Sequence, residues 1–200
     1  MSSKRVIGLT GGIGVGKSTV AALLAEKGAT IVDCDGLGRL VVQPDGRAYQ
    51  GVIDRFGADI AQADGQLDRA KLASIVFSDA DSLAALNSIT HPAIDLEIAD
   101  AIAAAPTPTV VLDMAVLVET DLGKGQYEEV LVVEAPLEVR LERLRSTRGM
   151  TDEDSMARIA NQADDAERRA VATYVISNGG SEADLAAEVD RFWVTAAIDS

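Results

Sequence analysis

Residues 8–19 read Gly8-Leu9-Thr10-Gly11-Gly12-Ile13-Gly14-Val15-Gly16-Lys17-Ser18-Thr19, five glycines and one lysine directly after the apolar pair Val6-Ile7. Glycine weakens helices and strands alike, so such a stretch marks a place where the backbone itself is needed at close range. Residues 11–18 fit the pattern G-x-x-x-x-G-K-[ST], the P-loop, and the flanking sequence suits it, with a short strand-like run before and a helical pattern after. In that setting the glycines let successive backbone N–H groups curl inward onto a polyphosphate, and the following helix adds the positive end of its dipole. Gly11, Gly12, Ile13, Gly14, Val15, Gly16, Lys17, Ser18 and Thr19 are therefore expected to cradle a nucleotide. Lys17 would reach the outer phosphates, and the Ser18 hydroxyl would ligate Mg²⁺.

Outward from this loop the chain alternates between strand-like and helical segments. Short β-branched runs occur at Arg5 to Leu9, Ala29 to Val32, Thr109 to Leu112, Val130 to Val133 and Tyr174 to Ile176. Helical periodicity lies between them at Thr19 to Lys27, Leu83 to Ala104, Glu138 to Arg145 and Glu182 to Trp193. Such alternation predicts an α/β fold with a five-stranded parallel sheet flanked by helices. The interval between the second and third strands is too long for one crossover helix. It predicts a mostly helical insertion over about 41–105, with turns at Gln43-Pro44-Asp45-Gly46 and Asp64-Gly65. Ala105-Pro106-Thr107-Pro108 should end its long helix. The core then comprises about 1–40, 106–138 and 170–200, with 139–169 as a lid.

With 200 residues, 48% hydrophobic and 25% charged, the chain is ordinary for one globular domain. A net charge of −14 argues against nucleic acid or an anionic membrane as partner, because the overall field repels phosphate polymers. A single cysteine, Cys34, and the lack of a long apolar stretch or signal core lead to the expectation of a cytoplasmic protein, a monomer or weak homo-oligomer. Any phosphate site must be locally positive. Between residues 140 and 169 stand Arg140, Arg143, Arg145, Arg148, Arg158, Arg168 and Arg169, seven cations without a lysine, balanced by seven acids. The charge pattern by itself suits helices laced with surface ion pairs. The uniform choice of arginine, whose planar fork grips phosphate oxygens in pairs, suits an anion-binding lid.

The second strand runs into Val32-Asp33-Cys34-Asp35. A strand repeat of two residues would project Asp33 and Asp35 to one side and Cys34 to the other. Ligands of open α/β sheets bind beyond the carboxyl ends of the strands, so one of these carboxylates is placed to take a proton from an attacking hydroxyl. The competing reading is a pair of solvated acids, or a cap for the next helix. Metal binding through Asp-Cys-Asp fits less well, because the alternation separates the thiol from the acids.

At this point the sequence resembles the bacterial dephospho-coenzyme A kinases. GLTGGIGVGKS at Gly8 to Ser18 and IVDCDGLGR at Ile31 to Arg39 are similar to that family's GLTGGIGSGKS and D-A-D segments. Thr90-His91-Pro92 resembles its His-Pro element, and Asp113-Met114-Ala115-Val116-Leu117-Val118-Glu119 its D-x-P-L-L-F-E segment. Arg143, Arg148-Gly149, Arg158-Ile159 and Gln162 match its arginine-rich lid, and Tyr174 to Gly179 its last strand and Asn-Gly turn. Val15, Cys34, Ala115, Val118 and Thr173 stand where the family commonly has serine, alanine, proline, phenylalanine and aspartate.

The resemblance implies a P-loop NTPase fold of the nucleoside-monophosphate-kinase type. It implies transfer of the ATP γ-phosphate to the ribose 3′-hydroxyl of dephospho-coenzyme A, the last step of coenzyme A synthesis, with ATP and Mg²⁺ required. Asp35 is carried over as general base, with Lys17 and Arg143 as the other catalytic residues. Asn178 would flank the nucleotide, and Thr10, Asp33, Arg39, His91, Asp113 and Leu117 the substrate. Read as a bare residue, His91 fits a helix start or a packing position, since Pro92 suits a first helical turn. Trp193 reads as core.

Another small-molecule P-loop kinase, for nucleosides, shikimate or gluconate, would share the loop and the lid. A GTPase would carry a guanine-reading Asn-Lys-x-Asp, and the nearest string, Asn161-Gln162-Ala163-Asp164, lacks the lysine. A nucleotide-binding scaffold without catalysis would not need Lys17, Ser18 and Asp35 together.

Overall fold

The computed structural model describes residues 4–198. Its strands are β1 (Arg5–Thr10), β2 (Thr30–Asp33), β3 (Thr109–Asp113), β4 (Glu129–Glu134) and β5 (Tyr174–Ser177). The α-helices among the described residues are α1 (Lys17–Glu26), α2 (Cys34–Leu40), α3 (Tyr49–Phe56), α4 (Arg69–Ser78), α5 (Ala80–Ala104), α6 (Leu137–Arg148), α7 (Asp152–Ala160), α8 (Asp165–Val171) and α9 (Glu182–Ile198). The chain divides into two compact units, Met1–Val32 with Ala104–Ser200, and Asp33–Ala103.

In the first unit the strand order is β2-β3-β1-β4-β5. β1 is central and parallel to both neighbours, with Ile7 opposite Val111 on β3 and Glu129 on β4, and β4 pairs in parallel with β5. The sheet therefore grows in opposite directions from β1, and a ligand site is expected where the two directions part, beyond the carboxyl end of β1. The apolar runs become strands because both faces of the sheet are covered. Ile7, Leu9, Val111, Leu131, Val133 and Ile176 are fully buried and pack with Leu24 of α1 and Val189 and Phe192 of α9. Tyr174 stacks at a tilt on Phe192 with centroids 5.1 Å apart, and Trp193 packs partly buried on the same core, in the role its sequence position suggests.

Local capping sets the boundaries of α6 to α8. The Thr151 hydroxyl accepts from the Asp154 N–H at 3.1 Å to start α7, and Asp164 and Glu167 form a reciprocal capping box at α8. Gly149, at φ 61°, ends α6 in the left-handed conformation that suits a helix terminus.

The second unit is helical and has its own core, Val52, Ile60, Leu67, Leu72 and Val76. Its two expected turns are present. The Gly46 N–H donates to the Gln43 carbonyl at 2.7 Å, and Gly65, at φ 83°, turns the chain so that Ala61 and Leu67 bridge. The Tyr49 hydroxyl ties α3 to that second turn by donating to the Gly65 carbonyl at 2.6 Å. One expectation is corrected here. Pro92 does not open a helix; it lies inside the 25-residue α5. The helix starts earlier because the Asp79 carboxylate accepts from the Ser82 N–H at 2.9 Å, a stronger start than proline provides. A proline inside a helix leaves one carbonyl without its intrahelical donor and costs about 3 kcal/mol; Ala93, Ile94 and Ile98, next to it on α5, are buried.

Thr173, whose role could not be read from sequence, extends the β4–β5 ladder by one residue. Its backbone N–H donates to the Val130 carbonyl at 2.9 Å, and its hydroxyl accepts from the Val130 N–H at 2.8 Å. The hydroxyl thus stands in for a missing backbone partner at the start of β4. Thr173→Val leaves that N–H unpaired and should destabilise the fold by about 1–3 kcal/mol, read as a lower denaturation midpoint, whereas Thr173→Ser should stay near wild type. Equal losses in the two variants would remove the hydroxyl from the account.

Candidate active site

β1 ends at Thr10, and α1 begins at Lys17. Between them Gly14 (φ 81°) and Gly16 (φ 90°) take conformations that side-chain-bearing residues avoid. Close approach adds a second reason for glycine. A Cβ on Gly16 would lie 2.2 Å from the Asn178 Nδ2, and one on Gly12 would lie 2.7 Å from an Arg140 guanidinium nitrogen. Gly16 caps α1 without any side-chain hydrogen bond, and the first turn of α1 holds no acidic residue. The leading N–H groups of α1 are thus left for an anion, on the positive end of the helix dipole.

For the loop to turn its N–H groups inward, its carbonyls must face outward and find donors there. Val15 O accepts from Asn178 Nδ2 at 2.8 Å and from Arg143 Nη1 at 3.3 Å, while Arg143 Nη2 donates to Asn178 Oδ1 at 3.1 Å. Ile13 O accepts from Arg140 Nε at 2.9 Å, and the Ile13 N–H donates to Gln162 Oε1 at 2.8 Å. Asn178, 4% exposed at the end of β5, and two arginines one turn apart on α6 therefore hold the loop from outside. Burial pushes the Arg140 guanidinium below the usual arginine range, Asp165 at 3.7 Å opposes that shift, and Arg168 reinforces it.

At the base of the loop Lys17 Nζ forms an ion pair with Asp113 Oδ1, from the last residue of β3, both side chains about one-fifth exposed at 17% and 20%. A phosphate oxygen offers Lys17 the same charge that the carboxylate now supplies. Ser18 and Thr19 are exposed on the first turn of α1. Thr10 is fully buried, and its hydroxyl has no hydrogen-bond partner. Leu117 is buried against β1, where its Cδ1 would lie 2.6 Å from a Cβ on Gly8.

Among the seven arginines, three are neutralised by carboxylates. Arg169 grips Glu134 bidentately, Arg145 pairs with Glu142 and Asp152, and Arg168, 1% exposed, donates to Glu119 at 2.9 Å. The surface-ion-pair reading thus suits Arg145 and Arg169, but not Arg140 and Arg143, whose closest partners are neutral oxygens. Arg140, Gln162 and Glu119 fall within the arginine run and the family motifs read from sequence, but none of them was assigned to the site there. The spacing of Arg140 three residues before Arg143, on one helix face, was the available signal.

The other candidates lie in the second unit. Here the strand alternation fails: β2 stops at Asp33, and Cys34 opens α2. Asp33 is the helix cap, its carboxylate accepting from the Gly36 N–H at 2.8 Å and lying 3.3 Å from Arg39 Nη2. The cap wins because a side-chain acceptor for an orphan helix N–H is worth about 1 kcal/mol. A Cβ on Gly36 would come within 2.5 Å of that carboxylate, which would have to shift to keep the cap. Asp35 is half-buried in the first turn of α2, Cys34 is buried, and His91 is half-buried on α5.

A sequence profile of the dephospho-CoA kinase family matches residues 5–184. The dephospho-CoA kinase of Frankia casuarinae is 46% identical over 94% of this chain and 81% of its own length, and that of Thermobifida fusca is 43% identical over 94% of both. A crystal structure of TT1252 from Thermus thermophilus superposes with a TM-score of 0.80 at 34% identity, covering 98% of both chains. With the glycine loop, its lysine and the arginine-bearing α6 all inside the matched span, the chain belongs to the dephospho-CoA kinase family.

Proposed function

We propose that this chain carries out its family's reaction with Asp35 as general base and with Lys17 and Arg143 stabilising the transferring phosphoryl group. The reaction is the ATP-dependent phosphorylation of dephospho-CoA to coenzyme A. In our reading the acceptor is the ribose 3′-hydroxyl. The observation that carries it is the loop itself, with inward N–H groups at an uncapped helix start, outward carbonyls held by Arg140, Arg143 and Asn178, and a lysine at its base.

Phosphoryl transfer has a loose transition state with charge spread over the equatorial oxygens, so the protein contributes mainly positioning and positive charge. Lys17 exchanges Asp113 for the outer phosphates, which frees the Asp113 carboxylate for the substrate side. Arg143, whose Nη1 donates to Val15 O at 3.3 Å, places its positive charge beside the loop, where the transferring group would sit. The Ser18 hydroxyl, exposed on the first turn of α1, fits a magnesium ligand, and no carboxylate in that turn competes for it. Mg²⁺, when bound there, neutralises phosphate charge. Asp35 accepts the hydroxyl proton as the new P–O bond forms. Thr10, Asp33, Arg39, His91 and Leu117 stay assigned to the substrate side, and the insertion over about 41–105 and the lid over about 139–169 to substrate binding and closure. No helix among the described residues is long and apolar enough to cross a membrane. That, with the charge of −14 and the single cysteine, supports a cytoplasmic enzyme without nucleic-acid or membrane partners.

A coupled assay of ADP release should show turnover stimulated by dephospho-CoA in the wild type and nearly abolished in Asp35→Asn. Wild type without acceptor-stimulated ADP would sink the substrate assignment, and near-normal Asp35→Asn would sink the base. Arg143→Ala should lower the turnover rate by about 10³ to 10⁵, equivalent to about 4–7 kcal/mol; an effect within the ~0–1 kcal/mol of a surface ion pair would show that Arg143 is not catalytic.

A further inference from the structure

Both backbone groups of one loop residue are held by side chains from two separate segments. The Ile13 N–H donates to Gln162 Oε1 at 2.8 Å, from the turn after α7, and the Ile13 carbonyl accepts from Arg140 Nε at 2.9 Å, from α6. The two arms converge at Gly12, where an added Cβ would lie 2.7 Å from Arg140 Nη2 and 3.5 Å from Gln162 Oε1. We propose that Gln162 is a positioning residue for the nucleotide, a latch through which the lid turn sets the orientation of the Ile13 peptide and so aims the N–H groups that follow it. The inference rests on the reading of the loop as a nucleotide cradle and assigns to Gln162 no contact with the reacting atoms.

The latch has the two properties such a device needs. First, its own backbone is anchored. The Gln162 N–H donates to Ile159 O at 3.1 Å, the next residue's N–H donates to Glu119 Oε1 at 2.9 Å, and its carbonyl accepts from Arg168, which also donates to Glu119 at 2.9 Å. Glu119 thus ties the turn to the segment after β3, and Arg168, 1% exposed, is fixed in place. Second, the gripped element is one that would otherwise move. A run with glycine at 11, 12, 14 and 16 has the most backbone freedom to lose on binding, and holding it in the binding geometry beforehand strengthens binding without any new ligand contact. Gln162 supplies a neutral acceptor, which grips an N–H without bringing negative charge to the phosphates. Ile13 is only half-buried, so water replaces the lost partner in the unbound protein, and the fold itself should hardly notice the change.

The test compares Gln162→Met, similar in size without the acceptor, and Gln162→Glu, which keeps an acceptor and adds charge. The readouts are ADP affinity by calorimetry, KM for ATP and for dephospho-CoA, turnover and melting temperature. Gln162→Met should weaken ADP binding and raise KM for ATP by about three- to tenfold, whatever the salt, with KM for dephospho-CoA and melting temperature unchanged. Gln162→Glu should bind ADP weakly at low ionic strength and recover toward wild type as salt screens the added charge. Wild-type ADP affinity in Gln162→Met would overturn the latch, as would a lower melting temperature with unaltered nucleotide affinity, or a Gln162→Glu defect that salt never relieves. Because the latch is read as a ratio of ADP affinities, a wild type that binds ADP yet ignores dephospho-CoA would end the substrate reading and leave the latch standing.

Discussion

The carbonyl oxygen of Val15, held by Asn178 at 2.8 Å and Arg143 at 3.3 Å, is the contact on which the site depends. A peptide's N–H and C=O point in nearly opposite directions, so pinning the oxygen outward aims the neighbouring N–H inward. Gly16 must be glycine on two grounds, its φ of 90° and the Asn178 amide in the space of a Cβ. Any side chain there would displace the donor that holds Val15 and tilt the loop at the point where α1 starts. Asn178, just past the end of β5, reaches Val15 O because β5 runs parallel to β4, so the sheet order itself shapes the loop.

The same contacts explain how a chain with a net charge of −14 can attract a triphosphate. Arg140 and Arg143 give their hydrogen bonds to neutral oxygens, Ile13 O, Val15 O and the Asn178 amide, and of the two only Arg140 has a carboxylate near it among the described residues, Asp165 at 3.7 Å. Arg145, Arg168 and Arg169 spend theirs on carboxylates and contribute little field beyond their partners. A buried cation fastened by a carbonyl is costly to desolvate, which is why burial lowers the Arg140 proton affinity. An incoming anion offsets that cost. Beyond about 10 Å, the Debye length at ordinary ionic strength, the acidity of the rest of the molecule is screened.

Where sequence was a sufficient guide, a backbone rule was at work. The five strands and the glycine loop follow from alternation, burial on both faces and a spacing that only a phosphate cradle needs. The guide weakened where a side chain competed with the backbone. Asp33 ends β2 because its carboxylate prefers the Gly36 N–H to another strand residue, and a period-two pattern carries no mark of that competition. Asp79 does the same for α5 and leaves Pro92 inside a helix. Thr173 is invisible for a related reason, since its hydroxyl replaces a backbone partner of Val130 across the ladder, a pairing set by register. Glu119 and Gln162, 43 residues apart, are joined through Ala163 only by the folded chain.

The cap at Asp33 bears on chemistry as well as on folding. α2 is a seven-residue helix with glycines at 36 and 38, a poor helix by propensity, and Asp35 sits in its first turn. What holds that turn is the Asp33 carboxylate on Gly36, with Arg39 3.3 Å from the same acid. Asp33 therefore belongs with Asp35 for a different reason from the one the strand pattern offered. It is the residue that turns the end of a strand into the start of a helix, and the direction of the Asp35 carboxylate follows from that turn. Of the two acids, Asp33 is the cap that shapes this turn, and Asp35, the proposed base, takes its position from it.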